Sequence, residues 1–141
     1  MRTLLLMALS VPAAGAVARE AVQVDFRCLT TEGDKPIRLE WRVFSERDSD
    51  WTASYVRYQG AQRVIPLIRQ SYDATTTAAG RPSEFRSVWV ELVGGKISGA
   101  YTITSQGANV EGFVYKNYRN GKEFSFSQEN DAARESGCQW N

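Results

Sequence analysis

A series of short runs in which apolar and polar residues alternate, separated by turn sequences, most constrains the fold of this chain. In the clearest run, residues 37–43, four apolar residues alternate with Arg38, Glu40 and Arg42. A period of two is typical of a β-strand with one buried face. Two dipeptides, Gly94-Gly95 and Asn120-Gly121, are strong signals for two-residue β-hairpins. These patterns predict an antiparallel β-domain.

The runs predict about eight strands, and no long helical pattern interrupts them. We place the strands at residues 22–30, 37–43, 51–58, 63–68, 85–93, 96–104, 110–119 and 122–128. Residues 70–83 are rich in Ser, Thr and Ala and predict the longest loop, and residues 129–137 are polar with room for a helical turn. Consecutive strands joined by short turns favour an all-β meander that forms a small barrel or a curled sandwich. Periodicity does not separate an up-and-down barrel from two stacked sheets.

The N-terminus has the order of a secretory signal peptide. Arg2 precedes an apolar run over residues 4–17, and Ala16-Val17-Ala18 matches a cleavage site. The run is shorter than the roughly 20 residues that cross a bilayer, so we expect no stable membrane anchor. We therefore predict a signal peptide at residues 1–18, a single antiparallel β-domain at residues 19–141, and a periplasmic or secreted location.

The chain contains two cysteines, Cys28 and Cys138. In an exported protein, two cysteines predict one disulfide with a single possible connectivity. Such a bond requires the two Cα atoms to lie within about 7 Å. It would therefore fasten the first strand to the last residues and close the domain.

Charge and residue types argue against several function classes. The chain has 17 Lys and Arg against 16 Asp and Glu, so loss of Arg2 with the signal peptide leaves no net charge and no indication of a nucleic-acid partner. There is no histidine, the commonest general base and metal ligand. The strand carboxylates are expected to face solvent: Asp25, Glu40, Glu91 and Glu111. We therefore predict no catalytic residues, no metal site and no cofactor.

Aromatic residues and glycines bear on the interior. Trp41, Tyr55 and Tyr101 share strand faces with apolar residues and are expected in the core, whereas Trp89 lies either on a partly covered face or exposed for binding. Gly99 and Gly112, both within strands, would leave space if the barrel held a ligand.

A rigid β-scaffold without catalytic residues is expected to act through its loops. The sequence therefore predicts a domain that binds another protein, with loops at residues 71–83, 105–109 and 118–122. Polar and aromatic residues there are the candidate contacts: Asp73, Arg81, Gln106, Tyr118 and Arg119. The alternatives are a small-ligand carrier that uses the barrel interior, an immunity protein against an envelope-targeting toxin, and a subunit of an envelope assembly.

The layout resembles that of bacterial periplasmic inhibitors of c-type lysozyme. The resemblance consists of the export signal, an early strand with Phe26-Arg27-Cys28, the antiparallel strands and a closing Cys138. The family motif is Ser-Gly-x-x-Tyr; in Ser98-Gly99-Ala100-Tyr101 the tyrosine stands one residue earlier. The resemblance implies a small β-barrel that inserts a loop into the cleft of a lysozyme-like enzyme or another cell-wall hydrolase.

Overall fold

Eight antiparallel strands form a closed barrel in a computed structural model that describes residues 22–76 and 78–140. Each strand pairs with the next in sequence, and β8 returns to pair with β1. This order confirms the all-β meander and shows that it is a barrel. The strands are β1 Val22–Thr30, β2 Arg38–Glu46, β3 Thr52–Tyr58, β4 Ile65–Thr75, β5 Glu84–Val93, β6 Lys96–Gln106, β7 Asn109–Asn117 and β8 Glu123–Gln128.

The barrel closes along a short seam. β1 pairs with β2 along its whole length, whereas β8 reaches β1 only through the pairs Leu29↔Gln128 and Thr30↔Ser127. The first part of β1 therefore pairs on one side only among the described strands.

The predicted signal peptide, residues 1–18, lies outside the described residues. Within the part of the chain that the structure describes, no helix has the length and apolar character needed to cross a membrane.

The predicted loop at residues 105–109 is wrong at Ser105, Gln106 and Asn109, which belong to β6 and β7. The predicted strands match the structure to within two residues at each end, except that β2 continues to Glu46 and that β4 is much longer than predicted. We predicted that β4 ends at residue 68, but it continues to Thr75 through a register shift between Arg69 and Ser71. Residues 71–75 are mostly exposed and carry few large apolar side chains, so they lack the alternation that marks a half-buried strand. The predicted loop at residues 71–83 is therefore wrong for its first five positions.

Alternate side chains along each strand point into the barrel, where they form the core. Tyr101 is fully buried and Trp41 is partly buried, as predicted, and Trp89 points inward with 3% of its surface exposed. Tyr55 was predicted in the core but faces outward, where it packs on Phe44 with ring centroids 5.8 Å apart. The buried cluster comprises Leu29, Leu39, Val56, Leu67, Trp89, Tyr101, Ile103, Phe113, Tyr115 and Phe126.

The C-terminal tail folds back over the outside of the barrel. A 3-10 turn at Asn130–Ala132 leads into a small hairpin of β9 Ala133–Arg134 and β10 Gly137–Cys138. The predicted disulfide is present between Cys28 and Cys138, with 5.6 Å between the Cα atoms. Because Leu29 points into the core, its neighbour Cys28 points outward, and the bond fastens the tail to the outer surface.

The tail also covers Glu40, which is 1% exposed rather than solvent-facing as predicted. Its Oε2 accepts a hydrogen bond of 2.8 Å from the Cys138 N–H and one of 3.3 Å from Arg57. Arg42 Nη2 lies 2.9 Å from Oε1 as an ion pair, without the alignment of a hydrogen bond. The alternation identified the outer face correctly, but the prediction was wrong because the tail shields this part of that face.

Candidate binding site at the open end of the barrel

One end of the barrel carries an open cavity of about 250 Å³. We call this the open end; it is where β2, β4 and β6 end and β3, β5 and β7 begin. Aromatic rings, one cation and several hydroxyls line the cavity, among them Trp41, Tyr72, Phe85, Trp89, Arg69, Ser45, Ser87 and Ser105. A cavity smaller than the roughly 300–1,000 Å³ of ordinary small-molecule pockets suits a single inserted side chain or a compact group.

The irregularity in β4 directs two side chains, Arg69 and Tyr72, to the same cavity. Arg69 pairs with Trp89 and Tyr72 pairs with Ser87, and the register shift between them makes Gln70 an extra residue. In a regular strand, residues three apart point to opposite faces. The bulge corrects this mismatch, so both side chains face the barrel interior.

Arg69 lies against two aromatic rings. Its Cζ is 5.3 Å from the ring centroid of Tyr72 and 5.9 Å from that of Trp89, within the range of cation–π attraction. Tyr72 in turn stacks on Phe85, with centroids 5.6 Å apart and an angle of 16° between the planes. The Arg69 guanidinium makes no ion pair and donates no hydrogen bond to any residue in the described ranges 22–76 and 78–140. The cavity thus contains a positioned cation whose donors are not used by any part of the chain that the structure describes.

Both tryptophans at this site are oriented by hydrogen bonds. Trp41 Nε1 donates to Ser54 Oγ at 2.8 Å, and Trp89 Nε1 donates to Ser87 Oγ at 3.0 Å. Their indole N–H groups are therefore satisfied inside the protein, and the aromatic surface they offer to the cavity is preorganised.

The opposite end of the barrel, which we call the closed end, is filled by a polar cluster around Glu91. This side chain is 4% exposed and was wrongly predicted to face solvent; it pairs with the core residue Leu67 and so points inward. Its carboxylate accepts hydrogen bonds from Ser98 Oγ at 2.8 Å, Tyr115 OH at 2.6 Å and Tyr101 OH at 3.3 Å. Three hydroxyl donors satisfy this buried carboxylate, and no cation of the described residues pairs with it.

Burial raises the pKa of the Tyr58, Tyr101 and Tyr115 hydroxyls above the ordinary tyrosine value. The charge of Glu91 raises these pKa values further. The hydroxyls therefore remain protonated at neutral pH. They can keep donating within the cluster, where the Tyr58 and Tyr101 oxygens are 2.8 Å apart.

Gly99 serves packing at the closed end. A Cβ at this position would lie 2.5 Å from Tyr115 Cε2 and 2.7 Å from the Lys116 carbonyl oxygen. The glycine makes room for the Tyr115 ring, so it does not mark space for a ligand. At Gly112 an added Cβ would meet only Thr104, at an ordinary 3.6 Å.

The structure divides the five candidate residues between the two ends. Asp73, Arg81 and Gln106 lie at the open end, and Tyr118 and Arg119 lie at the closed end, in the β7–β8 turn. Gln106 Nε2 donates to the Pro82 carbonyl at 2.9 Å and fastens the β4–β5 connection to the end of β6.

Asp73 is on β4 rather than in a loop. It pairs with Arg86 and faces outward, away from the cavity, because its neighbour Tyr72 faces inward. Arg81 is exposed in the connection after β4. Tyr118 is 51% exposed at the β7–β8 turn, where the Arg119 N–H donates to Asn117 Oδ1 at 2.9 Å.

Sequence reasoning missed Arg69, Tyr72 and the inward direction of Trp89. One sequence pattern could have identified Arg69: it follows Ile65 and Leu67 at a spacing of two, which places all three side chains on the same, buried face of a longer strand. No such spacing indicates Tyr72, because only the bulge at Gln70 brings its side chain to the same face as Arg69.

In the described ranges, no group of three or more His, Cys, Asp or Glu residues is arranged to hold a metal ion. No family model, curated protein or solved structure matches the chain.

Proposed function

We propose that this protein is an exported protein-binding domain, periplasmic or secreted, whose partner docks on the open end of the barrel. One observation carries the proposal: a preformed cavity that presents Arg69, without an ion pair among residues 22–76 and 78–140, beside Tyr72 and Trp89. Arginine, tyrosine and tryptophan are the residue types that dominate binding energy at protein interfaces.

The surface around the cavity extends this site. Tyr72 is 53% exposed and Trp51, immediately before β3, is 50% exposed at the same end. The candidate Arg81 stands on the β4–β5 connection, and the candidate Gln106 at the end of β6 is hydrogen-bonded to that connection. A partner that inserted one side chain into the cavity would also contact this surface.

The partner class that we propose is a cell-wall-degrading enzyme, inhibited by occlusion of its cleft. Support comes from the signal-peptide pattern at residues 1–18, the resemblance to lysozyme inhibitors, and the disulfide, which is typical of oxidising compartments. A closed barrel with a fastened tail loses little conformational freedom on association, which favours tight binding. An immunity protein would bind a toxin of similar activity by the same means.

The test begins with the exported, oxidised protein as bait in periplasmic and envelope extracts, followed by titration of any captured hydrolase. The matched variants are two tyrosine–arginine pairs at opposite ends of the barrel. We expect Arg69→Ala with Tyr72→Ala to weaken the captured complex by roughly 30-fold or more, as hot-spot residues do. Tyr118→Ala with Arg119→Ala should change the affinity less than about threefold, as exposed contacts outside the hot spot do.

The reverse pattern in calorimetry would move the docking surface to the β7–β8 turn and contradict the proposal for the open end. Capture of no protein, with a small molecule released on denaturation, would favour the carrier alternative instead.

A further inference from the structure

We infer that the open-end cavity is a carboxylate-binding site that receives an acidic side chain of the partner. The inference rests on the protein-binding function proposed above and names the chemistry of the group inserted. It is argued from the state of Arg69, the hydroxyls beside it and the size of the cavity.

The Arg69 guanidinium is arranged to bind an anion. It has five N–H donors in one plane, and within the described ranges none of them is used. Contacts with Tyr72 and Trp89 hold it by attraction to the rings without consuming these donors. A planar fork of this kind matches the two oxygens of a carboxylate, and two parallel charge-assisted hydrogen bonds give that pair geometric specificity.

Ser87 supplies a second donor at the cavity wall. Its Oγ already accepts the Trp89 N–H at 3.0 Å, so its own hydroxyl proton is left for a ligand. Arg69 and Ser87 lie on neighbouring strands, where Arg69 pairs with Trp89 and Ser87 pairs with Tyr72. An anion between them would find a cation and a hydroxyl converging from two rigid strands.

The remaining walls favour a carboxylate on an apolar stem over a phosphate. Trp41, Val43, Phe85 and Ile103 provide apolar surface for methylene groups. Among the described residues that line the cavity, Arg69 is the one that is charged, and a single positive charge matches a single negative charge. The Glu side chain, with its short methylene stem, fits both the charge and the volume of about 250 Å³.

The experiment uses two capped tripeptides as probes, acetyl-Phe-Glu-Phe-amide and acetyl-Phe-Gln-Phe-amide, with the exported protein. Binding is followed by tryptophan fluorescence and by the indole N–H resonances of Trp41 and Trp89 in NMR spectra. We expect the Glu peptide to bind about tenfold or more tightly than the Gln peptide, as a hydrogen-bonded charge requires. The resonances of both tryptophans should shift.

Variants assign the effect to one residue. Arg69→Gln should abolish the preference for the Glu peptide, and Arg86→Gln, exposed on the outward face of the neighbouring strand β5, should leave it unchanged. Equal affinity for the two peptides, absence of binding, or a preference that survives Arg69→Gln would overturn the inference. Benzoate serves as a free-carboxylate probe: if it bound more tightly than the Glu peptide, the site would be one for a small molecule, and the assignment to a partner side chain would be wrong.

The outcome can be separated from that of the proposed function. If the partner is captured equally by the wild-type protein and Arg69→Gln, the carboxylate inference fails and protein binding stands. If the Glu peptide binds but no partner is captured, the cavity chemistry stands and the proposed function fails.

Discussion

Gly99 shows how one missing side chain sets the packing of the closed end. Because no Cβ is present, the Tyr115 ring lies directly over the strand, and its hydroxyl reaches Glu91 at 2.6 Å. Both a Tyr115 atom and a backbone oxygen stand within 2.7 Å of the position an added methyl would take. The backbone oxygen cannot rotate away, so the site has little capacity to adapt.

We expect Gly99→Ala to lower the free energy of unfolding by about 1–3 kcal/mol, the usual cost of overpacking a filled core. The matched control is Gly112→Ala on the neighbouring strand, where the new methyl finds ordinary contact distances. Its effect should stay within about 0.5 kcal/mol. Urea denaturation of both variants measures the difference, and an equal loss at the two positions would contradict this account of Gly99.

At the scale of elements, the C-terminal tail depends on one buried carboxylate. Glu40 binds the Cys138 N–H of β10 and compensates Arg42 and Arg57 of the barrel wall. Gly137 packs so closely that an added Cβ would lie 2.5 Å from Glu40 Oε2, and its φ of 132° favours glycine. The tail is therefore attached by the Glu40 contacts as well as by the disulfide.

Replacement of Glu40 by Gln should cost about 1–2 kcal/mol of stability, because it removes the counter-charge of Arg42, whose side chain is 20% exposed and so partly screened by solvent. In a background with Cys28→Ala and Cys138→Ala the same change should cost less, since the freed tail no longer presents its N–H; we expect a coupling energy of about 1 kcal/mol. Glu111→Gln, an exposed strand carboxylate, is the control and should be neutral. Strict additivity in chemical denaturation would show that tail and carboxylate are independent.

Sequence patterns predicted the strands and the disulfide well, because hairpin dipeptides and alternation are local signals. They predicted the environment of individual side chains less well. On β5, Trp89 faces inward while Val88 and Val90 face outward, so both faces of the strand carry apolar residues. Alternation therefore did not determine which face Glu91 lies on. Glu40 was misjudged because its cover comes from residues about a hundred positions later. The cavity depends on a bulge and on strands distant in sequence, which periodicity does not describe.

For the molecule as a whole, the buried tyrosines link stability to pH in the alkaline range. The folded-state pKa values of Tyr101 and Tyr115 are raised above 10.0, so above about pH 10 the unfolded chain releases protons that the folded protein retains. These groups therefore leave stability unchanged below that pH. Above it, the free energy of unfolding should fall by up to about 1.4 kcal/mol per pH unit for each tyrosine.

Denaturant titrations between about pH 8 and 11 would measure this slope. Tyr115→Phe, which removes one of the linked groups, should make the slope shallower even though it also removes a hydrogen bond to Glu91. An identical slope in the wild-type protein and Tyr115→Phe would show that other groups control alkaline stability.

The short seam between β1 and β8 has a consequence for the order in which the barrel forms. Every other strand pair joins neighbours in sequence, so those pairings close short loops and can form quickly as hairpins. Among the described strands of the barrel, the seam alone must pair segments about a hundred residues apart, and its ladder consists of the pairs Leu29↔Gln128 and Thr30↔Ser127. Most of the entropy cost of joining distant strands therefore falls on one step, the late pairing of β1 with β8. The disulfide between Cys28 and Cys138 lies beside those pairs. It lowers the entropy cost of closing the barrel at the seam, where few backbone pairs offset that cost.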